Sequence, residues 1–164
     1  MNTLTLERFD SPVGRLTLAS TPEAVIALEF EDLDERLKRL IGPTEFAPAR
    51  HQSDFRRRIE AYFHGDLTAV DSIPVRSLGT AFQTTVWTAL RTIPASQTLT
   101  YRELAQRIGR PNACRAVGHA NSLNPVAIVQ PCHRVIGANG SLTGYAGGLE
   151  RKHWLLQHEG ARLL

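Results

Sequence analysis

The chain has 164 residues, of which 42% are hydrophobic, so it is long enough for one globular domain or two small lobes and too apolar for a disordered protein. No run approaches the roughly 20 apolar residues of a membrane helix, and the first residues lack the features of a signal peptide, so we expect a cytoplasmic protein outside the membrane. The net charge is +3, and Lys38 and Lys152 are the only lysines among the basic residues, a balance that permits nucleic-acid binding without demonstrating it.

The first third of the chain predicts a small strand-rich lobe. Apolar and polar residues alternate from Leu4 to Phe30, which predicts two or three short antiparallel strands with a Pro/Gly turn at residues 11–14. Helical spacing then predicts a helix over residues 33–41 and a second helix that begins near Ser53 and ends at Gly65.

The stretch 67–79 has weak periodicity and is interpreted as a connector. We therefore divide the chain into an N-terminal scaffold lobe, residues 1–76, and a C-terminal lobe, residues 77–164. The first lobe contains no catalytic constellation, which favours a role in support and packing.

Helix signals are stronger in the second lobe. Thr80–Gln83 and Thr100–Glu103 both have the pattern of a capping box, which predicts a helix start at each place. A turn at residues 109–111 precedes a third helix over about residues 112–122. Two short helices joined by a glycine-containing turn form a helix-turn-helix outline, although helix pairs are common and the outline alone is weak evidence.

Two further elements complete the second lobe. The short β-branched run Val126–Val129 predicts a buried strand that ends at Pro131, and a last helix is predicted over residues 149–159. Strands in the first part and helices in the second indicate an α+β fold.

The two cysteines, Cys114 and Cys132, are the next point of interest. A disulfide is not expected in a cytosolic chain, and no histidine lies at a metal-ligand spacing that would complete a zinc site. We therefore expect no metal and no cofactor, and the remaining question is whether either thiol reacts.

Pro131-Cys132-His133-Arg134-Val135 is the most informative stretch of the chain. A thiol acts as a nucleophile in its thiolate form, and an adjacent His and Arg could provide a proton acceptor and a positive charge. Neighbours in sequence need not point in the same direction. A buried structural cysteine at the end of a strand is therefore an interpretation of about equal weight.

This stretch resembles the active-site signature of the O6-alkylguanine-DNA alkyltransferases, also called methylated-DNA–protein-cysteine methyltransferases. The similarity continues in the same order through Thr100-Tyr101, Arg115–Gly118, Asn124-Pro125, Gly144–Gly148 and Trp154–Gly160. The N-terminal lobe resembles the family only in its size and its Ser-Pro-Val-Gly turn. The resemblance implies a ribonuclease H-like N-terminal lobe and a helical C-terminal lobe with a winged-helix-like helix-turn-helix.

The resemblance also implies catalytic roles. Cys132 would accept the alkyl group, His133 would take the thiol proton through a water, and Glu159 would orient that histidine. Asn124 would brace the helix-turn-helix against the active-site strand, although an Asn before Pro at a helix end is otherwise ordinary. Tyr101 would assist departure of the base and crowd the phosphate that rotates, although Tyr at a domain surface is also common.

Binding to double-stranded DNA follows from the same resemblance. Because an O6 alkyl carbon is out of reach in a stacked duplex, the nucleotide would be extruded, and Arg115 would fill the gap. The recognition helix would enter the minor groove through small residues; its expected DNA contacts are Ala116, Gly118, Ala120 and Asn121, together with Tyr101 and Arg115. The base pocket would be formed by Tyr145, Ala146 and Val135.

The reaction implied is the repair of O6-alkylguanine, and of O4-alkylthymine, with one turnover per molecule because the thioether product is a poor leaving group. We expect a monomer in solution. Three positions depart from the family pattern: Cys114 and His119 lie on the presumed recognition helix, and Gln130 replaces an apolar residue before Pro131.

Three alternatives stay open. A non-catalytic lesion-binding module would lack the acceptor cysteine. A helix-turn-helix transcription factor would not need Cys132, His133 and Glu159. A thiol hydrolase would turn over repeatedly and act independently of DNA.

Overall fold

The computed structural model describes residues 3–163, which cluster into two compact units. Strands dominate the first unit and helices the second, so the predicted α+β class is confirmed. The first unit extends to Leu78 and also contains Pro125–Val129, whereas the second contains Gly79–Asn124 and the residues from Gln130 onward. The functional division into residues 1–76 and 77–164 stays a prediction. The two observed units differ from this division mainly because Pro125–Val129 belongs to the first unit and not to the second.

A four-stranded sheet forms the centre of the first unit. Its strands lie in the order β3-β2-β1-β4 and comprise β1 (Thr3–Phe9), β2 (Leu16–Ser20), β3 (Val25–Phe30) and β4 (Glu45–Pro48). The first three pair antiparallel, as predicted, and β2 and β3 are buried along their whole length. The fourth strand, which the alternation of residues did not predict, pairs parallel with β1 at the edge of the sheet.

Two helices complete the first unit near their predicted positions. Helix α1 (Asp34–Ile41) follows a 3-10 turn and ends at Gly42, whose φ of 76° is readily adopted only by glycine. Helix α2 (Asp54–Phe63) begins at Ser53, whose hydroxyl accepts a hydrogen bond from the Arg56 amide.

The prediction of a strand over Val126–Val129 is wrong. Val126 forms a single parallel bridge with Leu28, and the following residues turn. Ile128 has a φ of 71°, which is rare for a β-branched residue, and the Val129 amide donates to the Ala127 carbonyl two residues earlier. The run is apolar because it is buried, and burial alone does not make an extended strand.

The described residues of the second unit form four α-helices, one short 3-10 helix and one pair of two-residue strands. The elements are α3 (Ala81–Leu90), β5 (Leu99–Thr100), α4 (Tyr101–Arg107), α5 (Cys114–Ser122), β6 (Val135–Ile136) and α6 (Leu149–His158). Both predicted capping boxes are present, at Thr80 and Thr100. Within residues 3–163, the longest helices have ten residues, and none has the length and apolar character needed to span a bilayer.

Helices α4 and α5 pack against each other as the predicted helix-turn-helix. The turn uses Gly109 at a φ of 75°, and α5 begins at Cys114 because the preceding residues form a separate turn closed by the Ala113 amide and the Arg110 carbonyl. Helix α3 is joined to α5 by a 2.8 Å hydrogen bond from Trp87 Nε1 to the Ala120 carbonyl.

Candidate active site and DNA-binding surface

Cys132 begins a one-turn 3-10 helix, Cys132–Arg134, that leads directly into β6. Cys132 is 8% exposed and belongs to the apolar cluster of the second unit, and its amide donates a 2.7 Å hydrogen bond to the Gln130 carbonyl. Burial fits both a structural cysteine and a nucleophile shielded from water. The groups that follow Cys132 in the chain distinguish the two interpretations.

His133, Arg134 and Glu159 form a buried network within the second unit. His133 Nε2 lies 2.8 Å from Glu159 Oε2, and both side chains are fully buried. Arg134 donates from Nε to Glu159 Oε1 at 2.8 Å and from Nη2 to Oε2 at 2.9 Å, and it also donates from Nη1 to the Ile93 carbonyl. The carboxylate therefore accepts three hydrogen bonds, two of them from a guanidinium that cannot lose its charge.

The electrostatics of this network favour an ionised glutamate beside a neutral histidine. Burial opposes the charge on Glu159, but His133 and Arg134 outweigh it and hold the pKa of this carboxyl well below its ordinary value. Burial lowers the pKa of His133, and Glu159 only partly offsets that effect.

A neutral His133 that donates from Nε2 to Glu159 carries a lone pair on Nδ1. Among residues 3–163, that buried Nδ1 has no hydrogen-bond partner. The arrangement therefore provides a proton acceptor one residue after the thiol of Cys132, with its opposite nitrogen held by a fixed anion.

Lys152 is a second buried cation near Cys132, and sequence reasoning missed it. Its ammonium donates to the Val135 carbonyl at 2.6 Å and to the Thr143 carbonyl at 2.7 Å, which ties the strand after Cys132 to the following loop. Burial lowers the pKa of Lys152 to about 8, and the nearby Cys132 opposes that shift. A positive charge here favours the thiolate form of Cys132.

Asn124 and Gln130 form a buried pair immediately before the active-site turn. Asn124 Nδ2 donates to the Gln130 carbonyl at 2.7 Å, and Gln130 Nε2 donates to Asn124 Oδ1 at 2.8 Å. The predicted contact between Asn124 and the active-site segment is therefore present, although that segment is a turn and not the strand that was expected.

The predicted pocket residues occupy different environments. Val135 is buried in β6, Tyr145 is half-buried against the apolar cluster, and Ala146 is exposed on the following loop. Tyr101, the first residue of α4, lies against α5, where a Cβ added at Gly118 would come within 3.6 Å of the Tyr101 ring.

The predicted DNA contacts on α5 divide between its outer and inner sides. Arg115 and Ala116 are exposed and Gly118 is half-buried, whereas Ala120 and Asn121 are buried. The Asn121 Nδ2 points at the Cys132 carbonyl at 3.5 Å. Direct DNA contact by Ala120 and Asn121 stays a prediction that their burial does not favour.

The exposed surface of the helix-turn-helix is rich in arginine. Residues 101–122 contain four arginines and one acidic residue, Glu103, and all four arginines are exposed; they are Arg102, Arg107, Arg110 and Arg115. Cys114, at the start of α5, is an exposed free thiol. In the described part of the chain, no three potential ligand side chains are grouped as a metal site would require.

An arginine-rich helix-turn-helix and a buried cysteine followed by a Glu-held histidine are the features of a DNA-binding protein with a reactive thiol. Two family models match: residues 5–77 fit the ribonuclease-like domain of 6-O-methylguanine DNA methyltransferase, and residues 81–161 fit its DNA binding domain. These matches confirm the predicted N-terminal and C-terminal fold classes.

Whole-length relatives support the same assignment. The chain is 44% identical to the methylated-DNA–protein-cysteine methyltransferase of Shigella flexneri over 96% of both proteins, and 46% identical to that of Methanosarcina acetivorans over 93% of this chain and 96% of the relative. The crystal structure of Mycobacterium tuberculosis OGT in complex with DNA matches with a TM-score of 0.83 at 42% identity, over 96% of this chain and 92% of that one. The chain belongs to the methylated-DNA–protein-cysteine methyltransferase family.

Proposed function

We propose that this protein repairs O6-alkylguanine, and O4-alkylthymine, in double-stranded DNA by transferring the alkyl group to Cys132. The observation that carries the proposal is the buried His133, one residue after Cys132, which is held through Nε2 by Glu159 and has no hydrogen-bond partner at Nδ1 among the described residues. The names of the full-length relatives describe the same chemistry.

Transfer begins with ionisation of the thiol. The Cys132 proton passes through a water to His133 Nδ1, and the imidazolium that forms is stabilised by the ionised Glu159. Arg134 keeps Glu159 charged through its two hydrogen bonds, so the carboxylate remains an anion when the histidine gains a proton. Lys152 adds a positive charge near the thiolate.

Alkyl transfer is an in-line displacement. The Cys132 thiolate forms a bond to the alkyl carbon while the bond from that carbon to the guanine oxygen breaks, and the base leaves with the electron pair. The base takes up one proton and the His133 imidazolium releases one to water, so guanine and a thioether are the products and the thiol proton is accounted for. Tyr101 donates a hydrogen bond to the departing base, and Tyr145, Ala146 and Val135 surround it.

Each molecule reacts once. A thioether carbon is a poor electrophile, and no step in this mechanism regenerates the thiol. The alkylated base is itself the donor, so the mechanism uses no cofactor and no metal.

The helix-turn-helix binds the duplex through its arginine-rich surface. Arg115 is exposed on α5 and occupies the space of the extruded nucleotide, while Ala116 and Gly118 permit close approach of the helix to the minor groove. Ala120 and Asn121 lie behind this surface. We also propose that the protein is a monomer and that it is located in the cytoplasm. The solved complex of Mycobacterium tuberculosis OGT with DNA supports DNA as the partner.

Analysis of the DNA product tests this function. A duplex with one O6-methylguanine is incubated with the protein, digested to nucleosides and separated by chromatography. Conversion to guanine that stops at one lesion per protein molecule, and that Cys132→Ala abolishes, is the expected result. Conversion beyond one lesion per molecule indicates a catalytic hydrolase instead. Tight lesion binding without conversion indicates a non-catalytic binding module.

A further inference from the structure

Gln130 is a buried polar side chain directly before the active-site Pro131-Cys132. It is 4% exposed, and Asn124 is 3% exposed. A buried primary amide is costly unless it is hydrogen-bonded, so its orientation is determined by its partners. Here the partner is the side chain of Asn124.

The two amides are linked in both directions. Gln130 Nε2 donates to Asn124 Oδ1 at 2.8 Å, and Asn124 Nδ2 donates to the Gln130 carbonyl at 2.7 Å. A rotation of the Asn124 amide by half a turn would place its oxygen against the Gln130 carbonyl and its NH₂ against the Gln130 NH₂. Both contacts would then be repulsive, so the main-chain carbonyl and the side chain of Gln130 together favour the observed orientation of Asn124.

The same backbone carbonyl connects this pair to the nucleophile. The main-chain oxygen of Gln130 accepts a hydrogen bond from Asn124 Nδ2 and a second one, at 2.7 Å, from the Cys132 amide. Two donors occupy the two lone pairs of this oxygen, which fixes the peptide plane between Gln130 and Pro131. The position of Cys132 follows from that plane because Pro131 has a restricted φ.

We propose that Gln130 is a positioning residue for the alkyl acceptor, acting through Asn124 and the shared carbonyl. The proposal rests on the transfer of an alkyl group to Cys132 described above. Gln130 precedes Cys132 by two residues, and its hydrogen bonds restrict where the Cys132 thiol can lie. Its Nε2 supplies a donor to Asn124 that no apolar side chain can supply.

Two substitutions separate this role from simple packing. Gln130→Met keeps the length of the side chain and removes its donor, while Gln130→Glu keeps the shape and places an oxygen against Asn124 Oδ1. We expect the rate constant of methyl transfer at saturating lesion DNA to fall about three- to tenfold in Gln130→Met, the effect of one net hydrogen bond, and further in Gln130→Glu. Lesion-DNA affinity is expected to remain within about twofold in both.

Non-additivity tests the route through Asn124. In an Asn124→Ala background, Gln130→Met is expected to have no further effect on the rate constant, because the two residues act as one unit. The exposed Gln157→Met on α6 makes the same chemical change at the surface and is the matched control.

A direct structural measurement accompanies the kinetics. In nitrogen-15-labelled protein, the Cys132 amide is expected to exchange its hydrogen faster in Gln130→Met than in wild type, while core amides of α3 keep their protection. This readout does not depend on methyl transfer.

The outcomes are distinguishable. Wild-type protein that transfers no methyl group overturns the proposed function. Wild-type transfer with unchanged rate constants and unchanged Cys132 amide exchange in both Gln130 variants overturns the positioning role alone. Slower transfer that is additive with Asn124→Ala also overturns it, whereas slower, non-additive transfer with faster Cys132 exchange supports it.

Discussion

Arg134 donates two parallel hydrogen bonds to Glu159, at 2.8 Å and 2.9 Å, and thereby keeps charged the carboxylate that holds His133. The residue after the histidine thus reaches the same glutamate as the histidine itself. Two consecutive side chains consequently fix the active-site turn to Glu159, the residue directly after α6. Loss of Arg134 leaves the Glu159 charge buried without its cation, and loss of Glu159 leaves His133 without the group that orients it.

Loss of the arginine therefore affects stability strongly. Arg134→Met leaves the Glu159 carboxylate buried without its cation, and breaking such a pair typically destabilises a protein by about 3 to 5 kcal/mol. Urea unfolding at neutral pH measures this change in the free energy of unfolding. Arg162→Met, at an exposed position, is the control and is expected to change it by less than about 0.5 kcal/mol. A loss below about 1 kcal/mol in Arg134→Met contradicts the structural role of this pair.

Replacement of the histidine tests its function as a base. In His133→Gln, methyl transfer near pH 7 is expected to slow by about 100-fold, since general-base assistance is lost. The rate is expected to recover in part as the pH is raised into the alkaline range, because more of the thiol then ionises without a base. His153→Gln, on the exposed surface of α6, is expected to keep the wild-type profile. A uniform loss of rate at every pH contradicts a role in deprotonating Cys132.

Acid is expected to destabilise the folded protein through the same network. Burial holds the pKa of His133 below its ordinary 6.5, so below that pH the unfolded chain binds a proton that the folded chain excludes. The stabilisation is thus complete above about pH 6.5 and is lost as the pH falls, with a slope of at most about 1.4 kcal/mol per pH unit for one proton. The pKa of Glu159 is lowered as well, which adds a second loss below its ordinary 4.5.

Urea titrations across this pH range measure the slope. His133→Gln removes the histidine contribution and is expected to flatten the curve between about pH 6.5 and pH 5. His51→Gln, at an exposed site, is expected to leave it unchanged. The same slope in His133→Gln and wild type would show that another group causes the acid sensitivity.

The exposed arginine of α5 is expected to act on DNA binding and base extrusion. Arg115→Ala is predicted to slow methyl transfer from duplex DNA by about tenfold or more, since the extruded nucleotide loses the side chain that fills its place. Reaction with O6-benzylguanine as the free base requires no extrusion and is expected to be unchanged. Arg57→Ala removes the same charge from the first unit and is the control. An equal loss with the duplex and the free base indicates damage to the site itself.

Local sequence signals predicted much of the fold. The capping boxes at Thr80 and Thr100 were confirmed because the residues that form them are three positions apart and need no distant partner. Strand β4 was missed because it has four residues, includes Pro48 and lies at the sheet edge, where alternation is weak. Val126–Val129 was predicted as a strand because burial produces the same apolar run in a turn.

The candidate site, like the fold, was predicted from the sequence only in part. Cys132, His133 and Glu159 were predicted from family resemblance, and the structure brings the last two into contact. The burial of Arg134 and Lys152 was not predicted, because charged residues are usually exposed and their partners here come from distant parts of the chain. Gln130 was noted as a departure, but its link to Asn124 depends on the turn that replaced the predicted strand.

Mass spectrometry of the intact protein determines whether Cys132 itself receives the alkyl group. The protein is incubated with excess duplex carrying one O6-methylguanine, its intact mass is measured, and the modified peptide is sequenced. We expect a gain of one methyl group, about 14 Da, located on Cys132, absent in Cys132→Ala and retained in Cys114→Ser. An unchanged mass despite lesion binding, or a methyl group located on Cys114, would contradict transfer of the alkyl group to Cys132.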